Sequence, residues 1–264
     1  MKVIILAAGS GSRLSPLTDD KPKCTVELFG RNLLEWQLEV YKKFGITDIS
    51  IVTGYKHDLI TFDNIKTYHN SNFETTNMIE TLFCAEKEFN DTVIISYGDI
   101  IFEAKVLQKL IESKEDFSIV VDENWEKYWK IRNENPLDDA ESLKIDSSGN
   151  ITTIGQKVTD ISEIQAQYIG LMKFQGKSTD IIKKFYYKMK KISETEKNPL
   201  NPKIPFKKSY FTDLLYGLIK EGNELKAIPI RNGWLELDTI QDYKIYNKMK
   251  NNNSLSEIFN LSKI

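Results

Sequence analysis

The chain has 264 residues, a formal charge of −2 from 36 basic and 38 acidic side chains, 41% hydrophobic residues and only two cysteines. This length suits one large α/β domain with a sizeable core, and the near-balanced charge offers nucleic acid no electrostatic footprint. Cys24 and Cys84 show no metal-like spacing and read as free thiols of a reducing compartment. The first apolar run is too short for a signal-peptide core and no later run is long enough for a bilayer, so a cytoplasmic protein is expected.

In chain order, Val3 to Ala8 is a short apolar run stopped by glycine, the pattern of a strand buried on both faces. Residues 33–44 place Leu34, Leu38 and Tyr41 at helical spacing with Gly45 at the end. Ile49 to Val52 is the next strand, so the first fifty residues form a βαβ unit. No element is predicted between Tyr55 and Asn77. Met78 to Phe89 has a helical pattern, Thr92 to Ser96 is a buried strand, Ala104 to Ser113 a helix and Phe117 to Val121 a strand. Asp122 to Asp139 is polar and aromatic without a clean period. Ser142 to Ile145 and Ile151 to Ile154 read as a hairpin around Ser148-Gly149-Asn150, and Gln165 to Phe174 as an apolar strand. Helices are expected at 181–192 and 209–220, a strand at 225–230, and Thr239 to Met249 begins a C-terminal helical tail. The alternation predicts an α/β fold, a Rossmann-like doubly wound mixed sheet with its ligand crevice beyond the strand C-termini. One domain is expected over residues 1–250, with a lid-like lobe inserted at about 122–171 and the tail at 251–264.

The loop after the first strand, Gly9-Ser-Gly-Ser-Arg13, has the character of an anion site. Its glycines permit a tight bend and close approach, consecutive N–H groups can line a concave cradle, and Arg13 and Lys23 add charge. It is neither a Walker loop, since no Lys-Ser/Thr follows, nor a dinucleotide fingerprint, since position 14 is Leu. Asp99 ends a buried strand after Gly98, where an open α/β sheet places its ligand. Asp238 ends Trp-Leu-Glu-Leu-Asp, with Glu236 and Trp234 on the same strand face. Two carboxylates with phosphate oxygens and water form the hard-oxygen set that Mg²⁺ prefers. The plainer reading makes each aspartate a cap of the following helix. Only four of the 36 basic residues are arginine, so Arg13 and Arg132 invite a question about bidentate contacts.

Leu-Ala-Ala-Gly-x-Gly-x-Arg-Leu-x-Pro-Leu-Thr, followed by Lys-Pro-Lys, resembles the signature of nucleotidyltransferases that join a nucleoside triphosphate to a small phosphorylated acceptor. That resemblance implies nucleotide contacts from Leu6, Ala7, Ala8, Gly9, Ser10, Gly11, Ser12, Tyr97 and Gly98. It implies Arg13 and Lys23 as the catalytic cations, Arg13 at the departing pyrophosphate and Lys23 at the α-phosphate. Mg²⁺ would be held by Asp99 and Asp238, with Glu236 as an auxiliary ligand. The reaction is an in-line attack of the acceptor oxyanion that needs alignment and charge neutralisation more than covalent chemistry.

Further segments narrow the resemblance: Asn70-Ser-Asn-Phe-Glu-Thr-Thr-Asn77, Asp122-Glu-Asn-Trp-x-x-x-Trp-x-x-Arg132, Asp139-Ala-Glu-Ser-Leu, Ile-Gly-Gln-Lys157 and Gln167-Tyr-Ile-Gly-Leu. Together they resemble cytidylyltransferases that activate phosphocholine, 2-aminoethylphosphonate or L-glutamine phosphate for surface glycans or capsules. CTP is therefore the expected nucleotide, on the resemblance alone, and a homodimer is a further implication. Residues in the middle segment suit a small zwitterion. Trp125, Tyr128 and Trp129 can face an ammonium, Asp122 or Glu123 can pair with an amine, Arg132 can grip a phosphate, phosphonate or carboxylate, and Lys157 can reach the acceptor phosphate. Glu141, Gln167, Tyr168 and Trp234 complete the expected acceptor set. The alternative for the aromatics is that they anchor the lobe to the sheet. Two other functions stay open at this point: a sugar-1-phosphate nucleotidyltransferase and a catalytically silent nucleotide sensor.

Overall fold

A computed structural model describes residues 1–264. The strand Lys2–Ala7 shows why a sheet covered on both sides forms here. Val3, Ile5 and Ala7 enter one apolar layer, while Ile4 and Leu6 enter the other, so every position after Lys2 is apolar. Seven strands make one sheet, in the order Lys226–Ile230, Phe117–Asp122, Gln167–Phe174, Val93–Tyr97, Lys2–Ala7, Ile49–Thr53 and Lys66–His69. Gln167–Phe174 is antiparallel to both its neighbours, and the other pairings are parallel. The doubly wound mixed sheet expected from the sequence is present.

Helices Leu33–Lys43, Ala104–Glu112, Trp125–Arg132 and Ile240–Asn251 cover one face, and Met78–Phe83, Ser178–Ile192 and Phe211–Lys220 cover the other. Two of these elements differ from the sequence reading. The expected helix at 78–89 ends at Phe83 and resumes as a single 3-10 turn, Glu86–Glu88. The stretch read as irregular after Asp122 contains the helix Trp125–Arg132. Its buried positions Trp125, Tyr128 and Trp129 follow i, i+3, i+4 spacing, but the apolar face is made of aromatics in a charged segment, which hid the period. The strand Lys66–His69 was also not predicted. Its pattern Lys-Thr-Tyr-His carries no buried residue because it is the sheet edge.

Segment 122–171 divides between the two layers. Trp125–Arg132 packs on the first, while the antiparallel pair Glu141–Ile145 and Ile151–Lys157 packs on the second through Leu143, Ile151 and Ile154. Residues beyond Asn251 do not extend as a helical tail. They fold back in two 3-10 turns that bury Leu255, Ile258, Phe259 and Ile264. No helix is long and apolar enough to cross a membrane.

Candidate active site

Beyond the C-terminal ends of the central strands lies a cleft of about 370 Å³, bordered by residues 6–13, Lys23, Tyr97, Gly98, Asp99, Glu236 and Asp238. The chain reaches it by a short apolar strand that can run no further. At Gly11 the backbone is left-handed (φ +67°), and a Cβ there would lie 2.7 Å from the Lys23 Cβ, so glycine lets the loop press against Lys23. The N–H groups of Ser10, Gly11 and Ser12 bond to no protein acceptor, whereas Leu14 N–H already donates to the Gly11 carbonyl at 2.8 Å. Donors left free in a glycine turn beside two cations are suited to phosphate oxygens.

Asp99 and Asp238 are 139 positions apart and meet through a two-stranded ribbon. Ile100–Phe102 pairs antiparallel with Trp234–Glu236, Glu236 opposite Ile100, and one step further the Leu237 N–H donates to the Asp99 carbonyl at 2.9 Å. The turn before this ribbon is held from below. The buried Gln37 amide donates to the carbonyls of Tyr97 and Ile100, each at 2.8 Å. A Cβ at position 98 would stand 2.9 Å from the Leu6 carbonyl, so Gly98 is required for the close crossing.

Charge in the cleft is tightly paired. The Lys23 ammonium bridges Asp99 Oδ2 and Asp238 Oδ1, both at 2.7 Å, and Arg13 reaches Asp238 Oδ2 at 2.7 Å. Burial works against the Lys23 charge, but Asp99 and Asp238 outweigh it and raise its pKa above the usual lysine value. Burial also raises Asp238, yet Lys23 and Arg13 hold it below the ordinary aspartate value. Burial pushes Glu236 up to about 7, with Arg132 opposing the shift and Asp99 and Asp238 reinforcing it. Cys24, also at the cleft, is pushed by burial up to about 12, so its thiol stays protonated.

The donor set fits Mg²⁺. Asp99 Oδ1 is buried without a hydrogen-bond partner, and a single cation, the Lys23 ammonium, already sits within 2.7 Å of oxygens from both aspartates. No group of three or more metal-ligating side chains occurs. Two carboxylates completed by phosphate oxygens and water are the usual arrangement for Mg²⁺.

The structure brings together the residues expected at the nucleotide: Leu6 through Ser12, Arg13, Lys23, Tyr97, Gly98, Asp99, Glu236 and Asp238 all border the cleft. Sequence reasoning missed Phe73, Thr76, Asn77, Met78 and Thr81, which form its opposite wall. The signal was the segment Asn70–Asn77. The Asn70 amide donates to Thr76 and Thr81, which braces that wall, and Asn77 caps the helix Met78–Phe83.

Several residues expected at the acceptor are placed elsewhere. Trp125, Trp129 and Trp234 are buried in the first apolar layer, where Trp125 and Tyr128 meet Trp129 edge-on, Tyr128 meets Trp234 edge-on, and Trp129 lies tilted against Trp234. Packed on all sides, they present no face to a ligand. Asp122 is fully buried, accepting the Trp234 indole N–H at 2.8 Å and the N–H groups of Asn124 at 2.9 Å and Asn232 at 3.0 Å. With three donors already satisfied, it anchors a turn and has no free edge for an amine. Arg132 spends its fork on Glu236 and Asp242. Gln167 is buried and clamps the Glu141 backbone by its amide, and Lys157 is an exposed strand end. Glu141 and Tyr168 stand nearer the cleft. The Tyr168 ring packs edge-on against Tyr97, centroids 5.7 Å apart, and burial, with Asp213 and Asp139 adding to it, pushes Glu141 up to about 7.

A mixed sheet with a glycine-loop anion cradle, two facing aspartates and a bridging lysine defines a nucleotidyltransferase. The model of the MobA-like NTP transferase domain matches residues 3–157. The chain is 39% identical over 256 residues to CTP:phosphoglutamine cytidylyltransferase of Campylobacter jejuni, covering 93% of this chain and 98% of that relative. It is 34% identical over 109 residues to choline-phosphate cytidylyltransferase of Streptococcus pneumoniae, covering 39% of this chain and 47% of that one. The solved structure of the S. pneumoniae CTP:phosphocholine cytidylyltransferase superposes with a TM-score of 0.70 at 21% identity, covering 94% and 98% of the two chains, which supports the fold. The chain belongs to the MobA-like NTP transferase family.

Proposed function

We propose that the protein is a CTP-dependent cytidylyltransferase that joins CMP to a small phosphorylated metabolite, a phosphoglutamine-type acceptor, and releases pyrophosphate. The observation that carries this reading is end-to-end similarity to a phosphoglutamine enzyme at 39% identity over 93% of the chain. The cleft supplies matching chemistry. An acceptor phosphate oxygen attacks the α-phosphorus, a new P–O bond forms, and the bond to the β-phosphate oxygen breaks, its electron pair leaving with pyrophosphate. The acceptor is already ionised, so no side chain has to remove a proton.

In this reading the free N–H groups of Ser10 to Ser12 and the Arg13 guanidinium hold the β- and γ-phosphates. Lys23 turns from the aspartates to the α-phosphate, where charge grows in the transition state. Asp99 and Asp238 hold the divalent cation, with Glu236 beside them. A Mg²⁺ ion held there would supply positive charge to the phosphate oxygens. The base would lie toward the opposite wall, where Phe73, Thr76, Asn77 and Met78 line the cleft. The CDP-linked product suits a later transfer onto a surface polysaccharide.

Pyrophosphate release measured with each of the four ribonucleoside triphosphates, across L-glutamine phosphate, phosphocholine, 2-aminoethylphosphonate and hexose 1-phosphates, tests this directly. Turnover is expected with CTP and a nitrogen-bearing acceptor. Turnover confined to hexose phosphates overturns the reading in favour of nucleotide-sugar synthesis.

A further inference from the structure

The helix Trp125–Arg132 carries aromatic and cationic residues, yet its chemistry is directed inward, onto the strand that presents Glu236 and Asp238. The Arg132 side chain is only 3% exposed. Its Nη1 donates to Glu236 Oε2 at 2.7 Å, while Nε and Nη2 donate to the two Asp242 oxygens at 2.9 and 3.3 Å. The guanidinium carbon lies 5.4 Å from the Tyr128 ring centroid and 5.6 Å from that of Trp129, which fixes the plane of the fork. Asp242 passes the restraint on. Its Oδ2 accepts the backbone N–H of Asp238 at 3.1 Å and of Thr239 at 2.8 Å.

The same strand is held at a third point. Tyr128 Oη accepts the Glu236 N–H at 2.8 Å, and Tyr246 Oη donates to the Glu236 carbonyl at 2.8 Å. A hydrogen bond between the two hydroxyls ties the helices to each other. Arg132 therefore grips one cleft carboxylate directly and the backbone of another through Asp242. Three of its five N–H donors are committed to these carboxylates and the side chain is almost wholly enclosed.

We propose that Arg132 and Asp242 are positioning residues that set the spacing of Glu236 and Asp238 and thereby govern how tightly the cleft holds a divalent cation. The inference rests on the reading of Asp99 and Asp238 as the cation-holding pair. Groups that orient metal carboxylates at one remove typically change metal affinity by about tenfold to a hundredfold when altered. Lysine cannot replace arginine fully, because an ammonium lacks the planar fork that spans two carboxylates.

Mn²⁺ binding to the full-length protein with CTP, followed by the electron paramagnetic resonance of free Mn²⁺, is the test. Arg132→Met and Asp242→Asn are each expected to weaken Mn²⁺ about tenfold or more, with Arg132→Lys recovering part of the loss. Trp125→Phe loosens the same helix without touching either carboxylate. It is expected to lower the melting temperature but leave Mn²⁺ affinity within about twofold. If Arg132→Met does not fold, Arg132→Lys and Asp242→Asn carry the same comparison. Wild-type affinity in folded variants, or a loss that Trp125→Phe reproduces in proportion to its melting temperature, overturns the proposal. So does an effect confined to the acceptor KM, which would return Arg132 to the acceptor. Failure of the wild-type protein to bind Mn²⁺ with CTP overturns the metal reading itself, and is distinguishable because no variant is involved.

Discussion

The glycine loop and the helix Trp125–Arg132 both concentrate residues that bind ligands, and the fold uses them in opposite ways. In the loop, the Arg13 side chain is 66% exposed, whereas that of Arg132 is 3% exposed. Both arginines grip acids of the segment from Glu236 to Asp242, Arg13 at Asp238 and Arg132 at Glu236 and Asp242. Arg13 does so from solvent, with N–H donors beside it that no protein group uses. A phosphate arriving from solvent can compete for the Arg13 guanidinium, which is exposed although its partner Asp238 is not. Arg132 is enclosed by aromatic rings and cannot leave without exposing an apolar layer. Spare bonding capacity, more than residue type, separates a binding surface from the structure beneath it.

The sharpest way to break this contrast is on the open side. Asp99 keeps one oxygen buried and unpartnered and pairs its other with Lys23, so its cost to the fold has a purpose only if a cation completes it. Asp99→Asn is expected to reduce Mg²⁺-dependent turnover by about 10²–10³-fold while the melting temperature stays within a few degrees. Steady-state kinetics against Mg²⁺ concentration, beside a thermal melt, measures both. Turnover near wild type would remove Asp99 from the metal pair.

On the enclosed side the balance reverses. Trp129 is buried and packs on Tyr128, Trp125 and Trp234, so Trp129→Ala leaves a cavity among rings. A destabilisation of about 3 kcal/mol is expected, the lower end for such a truncation, since the buried indole N–H lacks a partner in the native protein. Chemical denaturation gives this number. The acceptor KM of the folded protein should remain within about twofold. A large rise in that KM, with stability kept, would make Trp129 a ligand contact after all.

The same contrast explains what could be read from the sequence. The loop was legible because its meaning is local. An apolar strand, two glycines, Arg13 and Lys23 stand within 21 residues, and the chain need not fold elsewhere for that pattern to imply an anion site. Asp99 and Asp238 were legible for a related reason, since each ends an apolar run at the edge where α/β sheets bind ligands. Trp125 and Arg132 were not. Their burial depends on the three-residue strand Trp234–Glu236 pairing with Ile100–Phe102, and strands so short carry no period of their own. The wall formed by Thr76 and Asn77 depends on the edge strand Lys66–His69, whose polar pattern gives no burial signal. The segment Asn70–Asn77 was visible as a motif, but only the tertiary fold supplies the cleft it faces.

Glu141 tests the intermediate case, a carboxyl that neither faces open solvent nor has a cation. Burial beside Asp213 and Asp139 pushes it up to about 7 from its ordinary value of 4.5, and no salt bridge compensates it. The sign of its pH dependence follows. Below pH 4.5 the group is protonated both folded and unfolded, so it adds no pH-dependent penalty. Between 4.5 and 7 the unfolded chain loses the proton while the folded chain retains it, so folding stability falls as pH rises. Above 7 the penalty is complete. Glu141→Gln, which keeps the shape and cannot ionise, is therefore expected to melt with wild type at pH 4 and a few degrees above it at pH 8. Thermal melts at the two pH values, each with and without acceptor, also separate two roles. If Glu141 receives the amino group of the acceptor, the substrate should stabilise wild type at pH 8 more than the glutamine variant, because only wild type has a buried charge for the ammonium to neutralise. Equal stabilisation would leave Glu141 as a strained part of the fold near Tyr168, and the recognition of the amine would have to lie on another wall of the cleft.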